Sequence, residues 1–210
     1  MKVGIVNYGM GNLGSVRRAL EDLGAQAFIA DHPGALYEAD RVVLPGVGAF
    51  LEGMTRLRDG GWADALHKLN RDHRRPLLGI CLGMQMLASR GEEGGGTPGL
   101  GFVEGDVVRL DSLGCRLRIP HVGWNDLCYG AGAAARALFA HIPQRSDFYF
   151  VHSYAFHARR EADVAATTDY SVPIVAAIGQ GNVFGTQFHP EKSSKVGRQL
   201  LRNFLDYVPC

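Results

Sequence analysis

Short β-branched runs alternate along the chain with stretches of helical apolar spacing, and this alternation constrains the fold more than any other feature. Val3–Val6 and Ala27–Ala30 have the composition of buried strands, whereas Ser15–Leu23 and Trp62–Asn70 have the apolar spacing of amphipathic helices. Strands that alternate with helices are typical of a mostly parallel sheet with helices on both faces. We therefore predict an α/β fold, built from residues 1–210 as a single domain.

The second half of the chain has a different pattern. After Gly105 the strand-like runs follow one another with few helical stretches between them, which favours antiparallel pairing. The predicted strands there are Val107–Leu110, Arg116–Ile119, Phe148–His152, Ile174–Ile178 and Val183–Gln187. Gly91–Gly101 is rich in glycine and predicts a loop. Ser193–Tyr207 predicts a closing helix, so the sheet is expected to be mixed.

Composition narrows the class of function. The chain has 22 basic and 21 acidic residues, a net charge of +1, and this near-balance argues against a dedicated nucleic-acid binder. No run approaches the ~18 apolar residues that a membrane-spanning helix needs. The four cysteines lack the spacing of a zinc site or a disulfide framework, so we expect no metal, no cofactor and reduced thiols in the cytoplasm.

Gly9–Gly14 fits the pattern G-x-G-x-x-G after a predicted strand, with Asp31 a suitable distance further on. That context is typical of a dinucleotide-binding loop. The alternative is a glycine-rich turn, in which the missing Cβ atoms let another backbone come close. We favour the turn, because a stronger set of chemical groups lies elsewhere in the chain.

Gly79–Gly83 has the form G-x-C-x-G, with Cys81 at its centre. It lies between the apolar strand Leu77–Ile80 and the helix-forming segment Gly83–Ala88, as in a nucleophile elbow. A sharp turn from strand to helix exposes the thiol at a helix N-terminus, where the helix dipole favours a thiolate. The alternative is an inert buried cysteine. The flanking glycines favour a nucleophile.

His189 follows the predicted strand Val183–Gln187, and Pro190 stiffens the turn after it. Glu191, two residues on, is placed to return to the imidazole and hold its tautomer. A His-x-Glu spacing alone is weak evidence, since the chain has 8 histidines. The His-x-Glu and G-x-C-x-G segments occur in the same chain, and each lies at the end of a predicted strand. Together they predict a Cys81–His189–Glu191 triad.

These two segments resemble the signatures of the class I, triad-type glutamine amidotransferases, whose fold is flavodoxin-like. Further segments resemble, within that family, the glutaminase subunits of imidazole glycerol phosphate synthases, and the likeness extends over residues 1–210. The segments are Leu44–Phe50, Pro120–Asn125, Tyr149–Tyr154, Gly185–Ser194 and the Gly9–Gly14 loop.

The resemblance implies hydrolysis of glutamine to glutamate and ammonia. It also implies a heterodimer with a (β/α)8 barrel cyclase, which uses the ammonia to make imidazole glycerol phosphate and an aminoimidazole-carboxamide ribotide in histidine biosynthesis. Glutaminases of this family are almost inactive alone and are switched on by ligand in the partner.

Elbow geometry predicts Leu82 N–H as one oxyanion donor. By resemblance Val47 supplies a second, and Gly46 and Gly48 beside it ease a peptide rotation that would switch the activity on. The same resemblance assigns the glutamine pocket to Gly46, Gly48, Gln85, Ser153 and Tyr154. It assigns the partner-facing surface to Asn12, Trp124, Tyr149 and Lys192.

The sequence is also compatible with other interpretations. Trp124 could be a core residue, and Lys192 a solvated surface lysine. A paralogue could deliver ammonia to another synthase, for example in surface-sugar amidation. A cysteine peptidase or deglycase would act without a barrel partner, and a nucleotide-binding module would leave the triad without a role.

Overall fold

The computed structural model describes residues 1–209, which form fourteen strands and seven helices. The strands are β1 (Lys2–Val6), β2 (Gln26–Ala30), β3 (Arg41–Gly46), β4 (Leu77–Cys81), β5 (Arg90–Gly91), β6 (Thr97–Pro98), β7 (Gly105–Arg109), β8 (His121–Asp126), β9 (Cys128–Tyr129), β10 (Asp147–His152), β11 (Tyr154–Ala158), β12 (Val164–Asp169), β13 (Pro173–Gln180) and β14 (Val183–Thr186). The helices are α1 (Leu13–Glu21), α2 (Phe50–Asp59), α3 (Trp62–His73), α4 (Leu82–Met86), α5 (Glu93–Gly96), α6 (Ala133–Phe139) and α7 (Ser194–Asp206). Short 3-10 turns cover Pro33–Glu38, Leu110–Leu113, Glu161–Asp163 and Pro190–Lys192.

One half of the main sheet is parallel. Its strands lie in the order β2-β1-β3-β4-β14, and every neighbouring pair among them is parallel. All residues of β3, β4 and β14 are buried, as expected for parallel strands covered on both faces. Because parallel strands end at the same edge, the residues after β3, β4 and β14 come together there.

The other half is mostly antiparallel, although β5 and β7 pair in parallel, and the sheet is therefore mixed, as predicted. β14 pairs with β13, and the sheet continues through β11, β7, β5 and β6, while β12 and β9 branch from β13. β8 and β10 form a separate two-stranded ribbon.

Helices cover both faces of the sheet, because alternate side chains of each strand point to opposite sides. Val43 of β3 belongs to the apolar cluster that includes residues of α1, α6 and α7. Its neighbours Val42 and Leu44 belong to the cluster that includes residues of α2, α3 and α4. None of the helices within residues 1–209 has both the length and the apolar character required to cross a membrane.

One predicted strand is wrong: Arg116–Ile119 is irregular. Side chains of the segment before β13 take up its backbone groups, since Arg116 N donates to Ser171 Oγ and Tyr170 Oη donates to Arg118 O. The strand begins further on, at His121, after Pro120. The predicted loop Gly91–Gly101 contains α5, the last residue of β5 and the whole of β6, and these two short strands pair with each other.

Candidate active site

Cys81 ends β4 in a strained conformation that turns the chain directly into α4. Its φ is 55°, a left-handed value that is uncommon for residues other than glycine, and the side chain is 7% exposed. The turn is tight enough to require glycine on both sides. A Cβ on Gly79 would lie 2.7 Å from the backbone of Gly83, and a Cβ on Gly83 would collide with the carbonyl oxygen of Leu44. The strand, turn and helix predicted around Cys81 are therefore present.

His189 lies next to this turn because β14 is the parallel neighbour of β4. After the strand, Pro190–Lys192 forms a 3-10 turn that brings Glu191 back to the imidazole. His189 Nδ1 is 2.7 Å from Glu191 Oε1, and the two side chains are 3% and 1% exposed. A buried carboxylate at Nδ1 keeps that nitrogen protonated and directs Nε2 to other chemistry.

The pKa of His189 is raised from 6.5 to about 9. Burial acts to lower it, but the negative charge of a Cys81 thiolate, together with the charge of Glu191 and the hydrogen bond to it, outweighs burial. The imidazole is therefore protonated at neutral pH. A protonated histidine next to a thiol can stabilise a thiolate and then give its proton to a leaving amine.

The backbone around His189 is tied to β10. His189 N donates to Tyr149 O at 2.9 Å, and Ser193 Oγ donates to His189 O at 2.6 Å. The same hydroxyl accepts from Tyr149 N at 3.0 Å. These bonds fix the position of the imidazole relative to the β8–β10 ribbon. In the sequence, only a serine near the start of the predicted closing helix indicates them.

Cys81 and His189 share a cavity of about 360 Å³. Its other lining residues are Val47, Gly48, Leu82, Gln85, Glu93, Pro120, Val151, His152, Ser153 and Tyr154. Most predicted pocket and oxyanion residues therefore lie in one place. Gly46 is just behind the wall, paired with Cys81 in the sheet, and a Cβ on it would lie 2.5 Å from the hydroxyl of Tyr8.

Glu93, for which the sequence predicts no role, lines this cavity from the glycine-rich segment. Its Oε2 accepts from Phe50 N, the first residue of α2, at 2.6 Å. Glu93 supplies an acidic group in the cavity wall. The only sequence signal was an acidic residue within a glycine-rich loop, which is usually a solvated position.

The segment after β3 forms the opposite lip of the cavity. Val47 is 44% exposed, and Gly48 has a φ of +105°, in the region that favours glycine. The first N–H groups of α4, beginning at Leu82, have no acceptor within their own helix. Leu82 thus begins α4 directly after the thiol, and Val47 lines the same cavity from the segment after β3.

The Gly9–Gly14 loop is a turn that packs against this lip. A Cβ on Gly48 would lie 2.8 Å from Met10 Cε, and a Cβ on Gly11 would lie 3.5 Å from Pro45. Asn12 caps α1, with Oδ1 accepting from Ser15 N at 3.3 Å. The close approach that glycine permits in this loop is made by the protein's own side chains.

The β8–β10 ribbon has one apolar face open to solvent. Trp124 is 55% exposed and pairs with Tyr149 across the ribbon, their ring centroids 6.0 Å apart. Val122 pairs with Val151 on the same face, and Lys192 Nζ lies 5.9 Å from the Tyr149 ring centroid. Trp124 is thus not a core residue. We call Val122, Trp124, Tyr149, Val151 and Lys192 the ribbon face.

Comparison with known proteins agrees with this geometry. The family described as "Glutamine amidotransferase class-I" matches residues 5–208. The subunit HisH of imidazole glycerol phosphate synthase from Moorella thermoacetica is 45% identical over 206 residues, covering 98% of this chain and 95% of the relative. The corresponding subunit HisH 1 from Campylobacter jejuni is 44% identical, covering 97% of this chain and 98% of the relative.

Solved structures share the fold. A crystal structure of a glutamine amidotransferase has a TM-score of 0.75 at 24% identity, covering 97% of each chain. PurLQS from Thermotoga maritima has a TM-score of 0.76 at 18% identity, covering 98% of each chain. The family match over residues 5–208 and the relatives at 45% and 44% identity show that this chain belongs to the class I glutamine amidotransferase family.

Proposed function

We propose that this chain is the glutaminase subunit of an imidazole glycerol phosphate synthase, with residues 1–210 acting as one cytoplasmic domain. It hydrolyses glutamine to glutamate and ammonia. It passes the ammonia to a (β/α)8 barrel cyclase partner that makes imidazole glycerol phosphate and an aminoimidazole-carboxamide ribotide in histidine biosynthesis. The observation that carries the proposal is one cavity containing Cys81 and the His189–Glu191 pair, in a chain with 45% identity to a named relative.

The proposed reaction starts with attack of Cys81 Sγ on the carboxamide carbon of glutamine. The imidazolium of His189 gives its proton to the departing ammonia, leaving a thioester on Cys81. His189, now neutral, takes a proton from water, and the hydroxide attacks the thioester to release glutamate. Glu191 holds Nδ1 of the imidazole so that Nε2 carries out both proton transfers.

The cavity suits an amino acid, since small-molecule sites usually enclose about 300–1,000 Å³. Glu93 is placed to pair with the α-ammonium group of glutamine. Both hydrogens of Gln85 Nε2 are engaged, by Tyr154 O and by Gln187 Oε1, so Gln85 Oε1 is the acceptor left for the substrate. Gly48, Ser153 and Tyr154 complete the proposed binding walls.

Val47 and Leu82 are the proposed oxyanion donors. Loss of one such donor costs about 3 kcal/mol, or ~100-fold or more in rate. Gly46 and Gly48 on either side of Val47 make rotation of its peptide groups sterically easy. We expect the isolated subunit to have low glutaminase activity, and full activity of the purified chain without partner or ligand would contradict this switch.

The ribbon face is the proposed docking surface for the barrel, together with Asn12. An exposed tryptophan beside a tyrosine is a common type of interface anchor. The face lies on the strand that carries Val151 and His152 into the cavity wall, which suits a partner that receives ammonia from that cavity. Lys192 supplies a cation for a carboxylate of the partner.

The proposal is tested with the complex of this chain and a barrel subunit. Cys81→Ala should abolish glutamine-dependent product formation and leave ammonia-dependent formation intact. If both activities are lost, the nucleophile role is not supported, and if neither changes, it is wrong. The second candidate is a paralogue that feeds another synthase, and complementation of a histidine auxotroph distinguishes it.

A further inference from the structure

Four buried polar side chains near the cavity have no part in the chemistry proposed above. They are His121 of β8, His152 of β10, Gln85 of α4 through its amide nitrogen, and Gln187, which follows β14 and is completely buried. Burying polar groups is costly unless they are hydrogen-bonded. The two imidazoles are hydrogen-bonded to each other, the two amides are hydrogen-bonded to each other, and both pairs are hydrogen-bonded to the backbone oxygen of Tyr154.

The bonds begin at a carbonyl oxygen, which can only accept. Tyr154 O is 2.8 Å from His152 Nδ1, so His152 must carry its proton on Nδ1. His152 Nε2 is then an acceptor in the neutral ring, and His121 Nδ1, 3.0 Å away, must donate to it. His121 Nε2 is left to accept from Asn125 Nδ2 at 3.4 Å.

The same carbonyl oxygen orients two amides on its other side. Gln85 Nε2 donates to Tyr154 O at 2.9 Å and to Gln187 Oε1 at 2.9 Å. Since Gln187 Oε1 is occupied as an acceptor, its amide nitrogen faces the other way. Gln187 Nε2 donates to Cys81 Sγ at 3.7 Å.

The imidazoles are held neutral and in place by their surroundings. Burial lowers the pKa of His121 to about 4 and that of His152 to about 3. The His121 ring is stacked between Phe150 and Tyr170, with centroid distances of 4.8 Å and 3.9 Å. A neutral, stacked ring has one donor and one acceptor, which is what the chain of bonds requires.

We propose that this hydrogen-bond chain, from Asn125 through His121, His152, Tyr154 O and Gln85 to Gln187, holds the Gln187 amide so that its N–H stabilises negative charge on Cys81 Sγ. Gln187 touches the reacting sulfur, whereas His121 and His152 are positioning residues that act through it. The inference rests on the proposed nucleophile role of Cys81. Asn125 is the neighbour of Trp124 in β8, so the chain connects the strand of the ribbon face to the thiol.

The first test replaces Gln187 with two residues that separate shape from hydrogen-bond donation. Gln187→Glu keeps the shape and an acceptor for Gln85, but puts an oxygen in place of the N–H that faces the sulfur. Gln187→Leu removes both groups. The readout is the rate at which iodoacetamide alkylates Cys81 at neutral pH, followed on the Cys81 peptide by mass spectrometry.

We expect alkylation to be at least about tenfold slower in Gln187→Leu, the loss of roughly one charge-assisted hydrogen bond, and slower still in Gln187→Glu. The glutamine-dependent activity of the complex should fall in the same order, with ammonia-dependent activity unchanged. Gln26→Glu, the same change at an exposed position of β2, is the control and should alter neither rate. Wild-type alkylation in Gln187→Glu would overturn the proposal.

The second test concerns the positioning residues. His121→Phe keeps a ring between Phe150 and Tyr170 but breaks the chain, and we expect a smaller loss, about threefold, in alkylation rate. The control is His67→Phe, an exposed ring stacked on Phe102 with a centroid distance of 4.4 Å. An unchanged rate in His121→Phe would limit the chain to Gln85 and Gln187 and so contradict the proposal as stated.

The third test uses the unmodified chain, so it does not depend on whether a variant folds. The imidazole nitrogen chemical shifts of the unmodified chain, measured by NMR, should show both His121 and His152 with the proton on Nδ1, the less common tautomer. A neutral His152 ring with its proton on Nε2 could not donate to Tyr154 O, and a neutral His121 ring with its proton on Nε2 could not donate to His152, so either tautomer would overturn the proposal. Failure of the proposed function is a separate outcome, because it would appear as glutamine-dependent activity that survives Cys81→Ala.

Discussion

The neighbouring strands β3 and β4 end side by side at the edge of the sheet where the cavity lies, which we call the active edge. The residues at the two ends differ in how tightly they are packed. Cys81 ends β4 in register with Gly46 of β3, but Cys81 is buried in a strained turn whose neighbours leave no room for a Cβ. Val47, one residue past Gly46, is 44% exposed and is followed by Gly48 at a φ of +105°. The proposed nucleophile is fixed by packing, whereas the proposed oxyanion segment is held loosely.

The difference suggests that the two strand ends have different roles. A nucleophile must be held close to its base, and strain at such positions persists only where the surroundings over-determine it. A segment that has to change conformation needs few contacts and a low steric barrier. Substitutions on each side of the active edge can break or sharpen this contrast, and they follow in decreasing order of expected size.

Gly83→Ala should have the largest effect, because its Cβ would collide with the backbone oxygen of Leu44, which cannot move without distorting β3. We expect the free energy of unfolding to fall by about 4 kcal/mol or more, measured by urea denaturation. Gly14→Ala, at an open position of α1 with nothing within 4 Å of the added Cβ, is the control. It should be neutral or stabilising, by up to about 1 kcal/mol. Equal effects of the two changes would contradict the packing argument.

The raised pKa of His189 predicts that the stability of the fold depends on pH. Folding favours the protonated imidazole of His189. The stability that this group adds to the fold is therefore fully present below pH 6.5 and is lost as the pH rises through about 9. The contribution is at most about 3 kcal/mol. Cys81→Ala removes the thiolate charge that raises the pKa while burial remains, so both the pKa and the slope of stability against pH should decrease.

An NMR titration of His189, with urea denaturation below pH 6.5 and above about pH 9, measures this effect. Cys128→Ala is the control, since Cys128 is an exposed thiol at β9, away from the cavity. If the pKa of His189 were the same in Cys81→Ala as in the unmodified chain, Cys81 would not be its electrostatic partner.

Gly48→Ala tests the loosely held side. The left-handed φ penalises an alanine there by about 1–2 kcal/mol, and the nearest atom, Met10 Cε, is the end of a flexible side chain. We expect that loss of stability together with a reduction of about tenfold or more in glutamine-dependent activity of the complex. Gly24→Ala, with a φ of +87° after α1 and nothing within 4 Å, should lose similar stability but no activity. Loss of activity in both variants would attribute the effect to stability alone.

Val47→Ala should have the smallest effect, because the exposed side chain is shortened while the backbone N–H is kept. We expect the stability to change by no more than about 0.5 kcal/mol and glutaminase activity, at saturating partner, by no more than about threefold. A loss of about a hundredfold would mean that the side chain, and not the peptide group, is the functional part of Val47.

Much of the active site could be predicted from the sequence because its decisive contacts are local. Gly79 and Gly83 lie two positions from Cys81 on either side. Glu191 reaches His189 across a single proline turn. The alternation of strands and helices placed both Cys81 and His189 at strand ends, and parallel pairing brings such ends to the same edge.

The long-range contacts could not be predicted in this way. Gln187 meets Cys81 across 106 positions, and His121 meets His152 across 31, so no local spacing signals either contact. The same limit explains the error at Arg116–Ile119, where a β-like composition was overridden by hydrogen bonds from the segment before β13. It also explains why Glu93, in a glycine-rich segment, was not expected in the cavity wall.

The amino-acid pattern alone was sufficient for the α/β class, the elbow at Cys81 and the pairing of His189 with Glu191, because each depends on periodicity or on residues a few positions apart. The folded chain was needed to learn that Trp124 faces solvent, and that Gln187 donates to the sulfur. Those outcomes depend on which strands pair and which faces are covered, and packing over the whole chain settles both. Residues close to Cys81 in the sequence specify the turn that carries the thiol. The amide of Gln187, which donates to the sulfur, comes from a distant part of the chain.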